Sequence, residues 1–168
     1  MRKIAFVVSR EDDIQKLMLY RTIDGVYLFC YDTWQDAPST KDYLFDTVSD
    51  AEEFAEENYN VDDWILIGDA MDGCQHDIII PTKIKLREYN DPGPKIFLSL
   101  VNGTWRDSFL GREEYKIGGT TVNERLWISG LLDIFDEARK QDKQKAAKIL
   151  SGLQFAKNSI DSILNKAF

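Results

Sequence analysis

Histidine is nearly missing from this chain, which has one such residue, at position 76, and only two cysteines and four prolines among its 168 residues. A lone histidine excludes multi-histidine metal sets, and it leaves acid–base chemistry to carboxylates or lysine. Cys30 lies in the strand-like run VYLFCYD and Cys74 in a polar stretch, so the two read as free thiols rather than a bridge. No phosphate-binding loop or dinucleotide fingerprint is present, because the glycines at 103, 111, 118 and 119 do not follow strands at the required intervals. No Gly-x-Ser-x-Gly elbow occurs either. The amino-terminal apolar run, Ile4 to Val8, is too short for a signal-peptide core, and no segment approaches the ~18 apolar residues of a membrane span. A cytoplasmic location, no membrane partner and no cofactor are the expectations.

Positive charge is missing from one long window. From Asp42 to Thr82 there are twelve acids and no lysine or arginine, although residues 93–168 carry 12 bases against 9 acids. Such a surface repels nucleic acid and anionic membrane and attracts a basic protein partner at an enhanced rate. Trp34, Tyr43 and Trp64 are interleaved with or flank Glu53, Glu56, Glu57, Asp62 and Asp63. These eight residues form the candidate binding surface, on the principle that rings anchor a contact while charges steer and select it. The competing reading is a solvated acidic face that keeps the chain soluble. The basic cluster Arg139, Lys140, Lys143, Lys145 and Lys148 can meet the acidic face of a second copy, and it is the only feature that favours nucleic acid.

The periodicity predicts an α+β fold, with an amino-terminal, mostly antiparallel sheet carrying one helix, followed by a carboxyl-terminal helical hairpin. Asp24-Gly25 between two apolar runs reads as a two-residue hairpin turn and places strands at about 3–8, 16–23 and 26–32. Ser49 and Glu52 form a capping-box pattern ahead of a helix over about 50–59. WILIG and DIIIPTKIKLRE read as strands, the latter bulged or at an edge because Pro81 donates no hydrogen bond. The turn-rich YNDPGPK divides a β-rich unit, residues 1–90, from a mainly helical one, residues 91–168, that packs on it or mediates dimerisation. KIFLSLV is either one arm of an Asn102-Gly103 hairpin or a helix begun by Pro94, and the helical reading is preferred. Continuous helices are expected over 121–139 and along the seam Ala146, Ile149, Leu153, Ala156, Ile160, Ile163 and Ala167. That seam serves an antiparallel pair within the chain or a homodimer through residues 121–167.

One stretch concentrates the rare residues. DAMDGCQHDIII, residues 69–80, holds Asp69, Asp72, Cys74, His76 and Asp77. Asp69, Asp72 and His76 are candidate metal ligands, and Cys74, His76 and Asp77 are candidate catalytic residues, since an extended segment would put the thiol and the imidazole on one face. The spacing completes neither a zinc set nor a calcium loop. The preferred reading is a turn at Asp72-Gly73 leading into a strand.

In its size, acidity, mixed α and β content and lack of catalytic signatures, the chain resembles bacterial immunity or antitoxin-type inhibitors that neutralise a basic toxin. That resemblance implies an interaction or inhibitor module. The alternative is a small enzyme or metal-binding protein centred on Cys74 and His76.

Overall fold

The hairpin at Asp24-Gly25 organises the amino-terminal half of the computed structural model, which describes residues 1–7, 13–61, 63–85, 96–108 and 119–165. Strands β1 (Arg2–Phe6), β2 (Lys16–Arg21) and β3 (Val26–Tyr31) pair antiparallel, β4 (Lys41–Phe45) extends β3, and β5 (Ile65–Ile67) lies against β1. The sheet order is β4-β3-β2-β1-β5. The β2–β3 connection has four residues rather than two, because Arg21 pairs with Val26 and the Thr22 amide donates to the Gly25 carbonyl at 2.8 Å.

Alternation along the strands divides the side chains between two faces. Leu17, Leu19, Val26, Leu28 and Cys30 face α1 (Val48–Tyr59), which buries Ala51, Ala55 and Tyr59 against them. The helix starts two residues ahead of the expected position. Thr47, not Ser49, caps it by accepting from the Asp50 amide, and Asn60 closes it in the left-handed conformation. Ile4, Phe6, Met18, Tyr31, Ile65 and Ile67 point to the opposite face, where the carboxyl-terminal helices cover them.

Those helices are four short ones rather than a hairpin of two. They are α2 (Val122–Ile128), α3 (Leu132–Gln141), α4 (Lys143–Gly152) and α5 (Lys157–Asn165). The first expected helix breaks at Ser129-Gly130, where Gly130 takes φ 73° and packs against the Asp36 carboxylate. The second breaks after Gly152, where Gln154 takes φ 61°. Asp142 hinges α3 to α4 and caps the latter by accepting from the Lys145 amide. Ala146, Ile149 and Leu153 are fully buried against the chain's own sheet, and Ile160 and Ile163 pack on the same core half-buried. The helical seam therefore closes within the chain. Ala156 is exposed, and Ala167 lies outside the described residues.

A second sheet, β6-β7-β8, is built from β6 (Thr82–Ile84), β7 (Phe97–Val101) and β8 (Thr104–Asp107). The expected helix over KIFLSLV is thus a strand. Asn102 and Gly103 take φ 50° and 72°, the two positive values of a type I′ turn, and Val101 pairs directly with Thr104. Here turn chemistry overrode the helical tendency of the neighbouring sequence. β6 is an edge strand that begins just after Pro81, and its pairing with β7 crosses the turn-rich stretch 89–95, which together with residues 86–88 lies outside the described residues. No helix among the described residues is long and apolar enough to cross a membrane.

Candidate functional site

A buried carboxylate fixes the stretch that holds the rare residues. Asp36, 1% exposed, accepts from the Ile79 amide at 2.8 Å and the Ile80 amide at 2.7 Å, and its own amide donates to the Ile128 carbonyl at 3.0 Å. Residues 78–80 are therefore pinned by a side chain rather than a ladder, so the expected strand starts only at Thr82. Arg2 reaches the same segment from below, with Nε donating to the Gly68 carbonyl and Nη1 to the Ile78 and His76 carbonyls. The Tyr31 hydroxyl donates to the Asp77 carbonyl at 2.6 Å. Burial pushes the Asp36 carboxyl up to about 6, with Lys16 and the two amides pulling against it. Burial likewise pushes the Lys16 ammonium down to about 8, opposed by the charge of Asp36. Lys16 donates to the Gln35 carbonyl at 2.6 Å and sits 4.5 Å from the centre of the Tyr31 ring.

Held in this way, the 74–77 stretch forms one wall of an open hollow of about 590 Å³ against the aromatic end of β2 and β3. Cys74 is 6% exposed, whereas His76 is exposed and lays its ring 4.8 Å from that of Tyr20. No hydrogen bond joins the two among the described residues. The Asp77 carboxylate accepts from the amide and hydroxyl of Ser39 and so ties down the loop before β4. Asp72 is exposed in the turn, and Asp69 pairs with the amino group of Met1 at 2.7 Å. Among the described residues, no group of three or more His, Cys, Asp or Glu side chains is placed to hold a metal ion. With Cys30 fully buried and Cys74 nearly so, both thiols should react with a disulfide reagent at least about tenfold more slowly in the folded chain than in urea. A fast single-thiol phase that maps to Cys74 would revive the nucleophile reading.

The eight residues of the candidate surface separate in space. Glu53, Glu56 and Glu57 are exposed on α1 and have no cationic partner among the described residues. Asp63 pairs with Lys148 at 2.6 Å, and Asp62 lies outside the described residues. Tyr43 is half-buried, its ring 4.8 Å from that of Phe54 on α1 and its hydroxyl 3.3 Å from that of Tyr59. Trp64 is half-buried beneath the Lys3 ammonium, which also pairs with Glu52. Trp34 does not join this surface. It is buried in the core on the opposite face of the sheet, where its indole is worth more as packing than as an anchor.

A second hollow, of about 560 Å³, lies between the β1–β5 edge, the β7–β8 turn and the α2–α3 junction, with Met71 and Trp127 at its exposed rim. Composition did not reveal the residues that line the first hollow, Tyr20, Tyr27 and Phe29, because each reads as strand core. The hairpin register was the available signal, since Tyr20 faces Tyr27 and Met18 faces Phe29 on a face that the helices cover only in part. Comparison of the chain with protein-family models, with curated proteins and with solved structures finds no match.

Proposed function

We propose that this protein is an interaction or inhibitor module that presents the acidic face of α1 to a basic protein partner, in the manner of an immunity or antitoxin-type protein. The observation that carries this reading is selective neutralisation. Glu52 of α1 is matched by Lys3 and Asp63, beyond the helix, by Lys148, yet Glu53, Glu56 and Glu57 on the outer turns of α1 have no cationic partner among the described residues. An uncompensated ridge on a helix that is itself well packed supplies a rigid, oriented field, which accelerates encounter with a positively charged surface and disfavours anionic competitors. Asp46, exposed between β4 and α1, adds to the same charge, and β4 is an edge strand of the sheet among the described residues.

The test is affinity capture of a partner from cells of origin on the full chain and on the Glu53→Lys/Glu56→Lys/Glu57→Lys variant. These side chains are exposed and carry no hydrogen bond or ion pair among the described residues, so the variant should keep the unfolding midpoint within a few degrees. The expected result is a basic protein retained by the unaltered chain, released by salt and absent from the variant eluate. Retention of the same protein by the folded variant would contradict the reading.

A further inference from the structure

We infer that the open aromatic face of β2, β3 and β4 is a recognition site for an arginine side chain in an extended segment of a protein partner. It lies on the opposite side of the sheet from α1 and does not depend on the α1 reading. Cross-strand pairing places Tyr20, Tyr27 and Leu44 in one row and Met18, Phe29 and Asp42 in the next, all on the face that the carboxyl-terminal helices leave partly open. Tyr27 and Phe29 stack with ring centres 5.8 Å apart and planes within 6° of parallel, an ordered pair to which a planar guanidinium can add as a further layer. Asp24 and Asp77 line the same hollow, the Asp77 carboxylate already accepting from Ser39, and Asp42 adjoins it as the cross-strand neighbour of Phe29, so acidic residues border the rings.

Six other rings of the chain lie under one of its own cations. Lys3 lies over Trp64, Lys16 over Tyr31, Lys41 over Tyr43 and Tyr59, Lys83 over Trp105 and Arg125 over Phe155, at 4.0 to 5.4 Å from the ring centres. Among the described residues no cation stands over Tyr20, Tyr27 or Phe29, and no lysine or arginine lines the hollow. Arg21 alternates to the α1 face with its partner Val26, and the Arg2 guanidinium is spent on backbone carbonyls beneath the 76–78 segment. Rings bordered by acidic residues complement a guanidinium, which stacks on the rings and donates to the acids at its edge. The rim favours a peptide over a free small cation. Ile23 is 99% exposed at the β2–β3 turn and Leu44 is 58% exposed on β4, so apolar contacts flank the platform for the residues on either side of the arginine.

The experiment is an amide-shift titration of the full chain with an acetylated and amidated Gly-Leu-Arg-Leu-Gly peptide. Its citrulline counterpart, which keeps the shape but lacks the charge, and guanidinium chloride serve as separate arms. The expected result is saturable shifts at residues 20–29, 42–44 and 75–77, about fivefold or greater preference for the arginine peptide over the citrulline one, and weaker binding of bare guanidinium. Tyr27→Leu keeps an apolar strand residue and should remove that preference. Asp42→Asn should weaken the arginine peptide about twofold to threefold, while the α1 triple variant should bind it unchanged. Equal affinity for the citrulline peptide, shifts confined to α1, or guanidinium binding as tight as the peptide would each overturn the assignment.

Discussion

Asp36→Ala should destabilise the protein by about 3–5 kcal/mol, the range for breaking a buried charged network by removing one member. The side chain is fully enclosed, and its loss leaves the Ile79 and Ile80 amides without acceptors and the Lys16 ammonium buried without an opposing charge. For a chain of this size that corresponds to a fall in Tm of about 10 °C. Adding Lys16→Met to Asp36→Ala should recover about 1–2 kcal/mol, because the stranded ammonium is then gone. The same pair sets a pH signature. With the Asp36 carboxyl near 6 in the folded chain and 3.8 when unfolded, the folded state holds the proton longer, so stability falls as pH rises from about 4 to about 6. With Lys16 near 8 folded and 10.5 unfolded, the unfolded state holds the proton longer, so stability rises again from about 8 to about 10.5. Each limb amounts to about 3 kcal/mol at 1.4 kcal/mol per pH unit, and each should vanish in the variant that lacks its group. Denaturant titrations across pH check both. Limbs unchanged in Asp36→Ala and Lys16→Met would show that other groups set the profile.

Gly152→Val should be equally damaging for a steric reason. Gly152 ends α4 directly against the Phe6 ring, and a Cβ at that position falls inside the ring. The ring cannot retreat, since Phe6 belongs to the core cluster that joins β1 to α4. Overpacking of this kind displaces either the helix end or the strand and costs about 3 kcal/mol or more. Phe6→Leu in the same chain opens space and should restore part of the loss, although it alone removes packing worth about 1–2 kcal/mol. Circular dichroism melts of the two single variants and the double variant measure the coupling. Strictly additive losses would mean that the two residues do not meet.

The amino-terminal sheet was legible in the sequence because local and long-range signals agree there. Asp24-Gly25 marks a hairpin, the flanking runs are apolar and aromatic, and Asp50 sits in the first turn of α1, where the helix dipole favours it. Elsewhere they disagree. Asn102-Gly103 carries a strong turn preference inside a run that also suits a helix, and pairing with β6 decides the outcome. The breaks at Gly130 and Gln154 depend on what each residue meets across the core, Asp36 for the first and the Phe6–Gly152 contact just before the second, and no pattern within the helices announces either. Asp36 itself reads as one acid among many. Its burial follows only from the arrival of residues 79 and 80, more than forty positions away. The candidate surface was legible as charge but not as shape, since helical spacing predicts that Glu53, Glu56 and Glu57 share an outer face while nothing local says that Trp34 turns inward. Tyr20, Tyr27 and Phe29 were hidden for the converse reason. Strand aromatics normally serve a core, and only the partial coverage of the sheet by short helices exposes them.

On the proposed reading the α1 face steers a basic partner. That steering is tested most directly by the association rate of the captured partner with the unaltered chain and with Glu53→Lys/Glu56→Lys/Glu57→Lys, measured from about 0.05 to about 0.5 M salt. The rate for the unaltered chain should fall steeply with salt, the variant should associate about tenfold or more slowly at the low end, and the two curves should converge at the high end while dissociation changes little. Association that is independent of salt, or equal for the two chains at low salt, would contradict the reading.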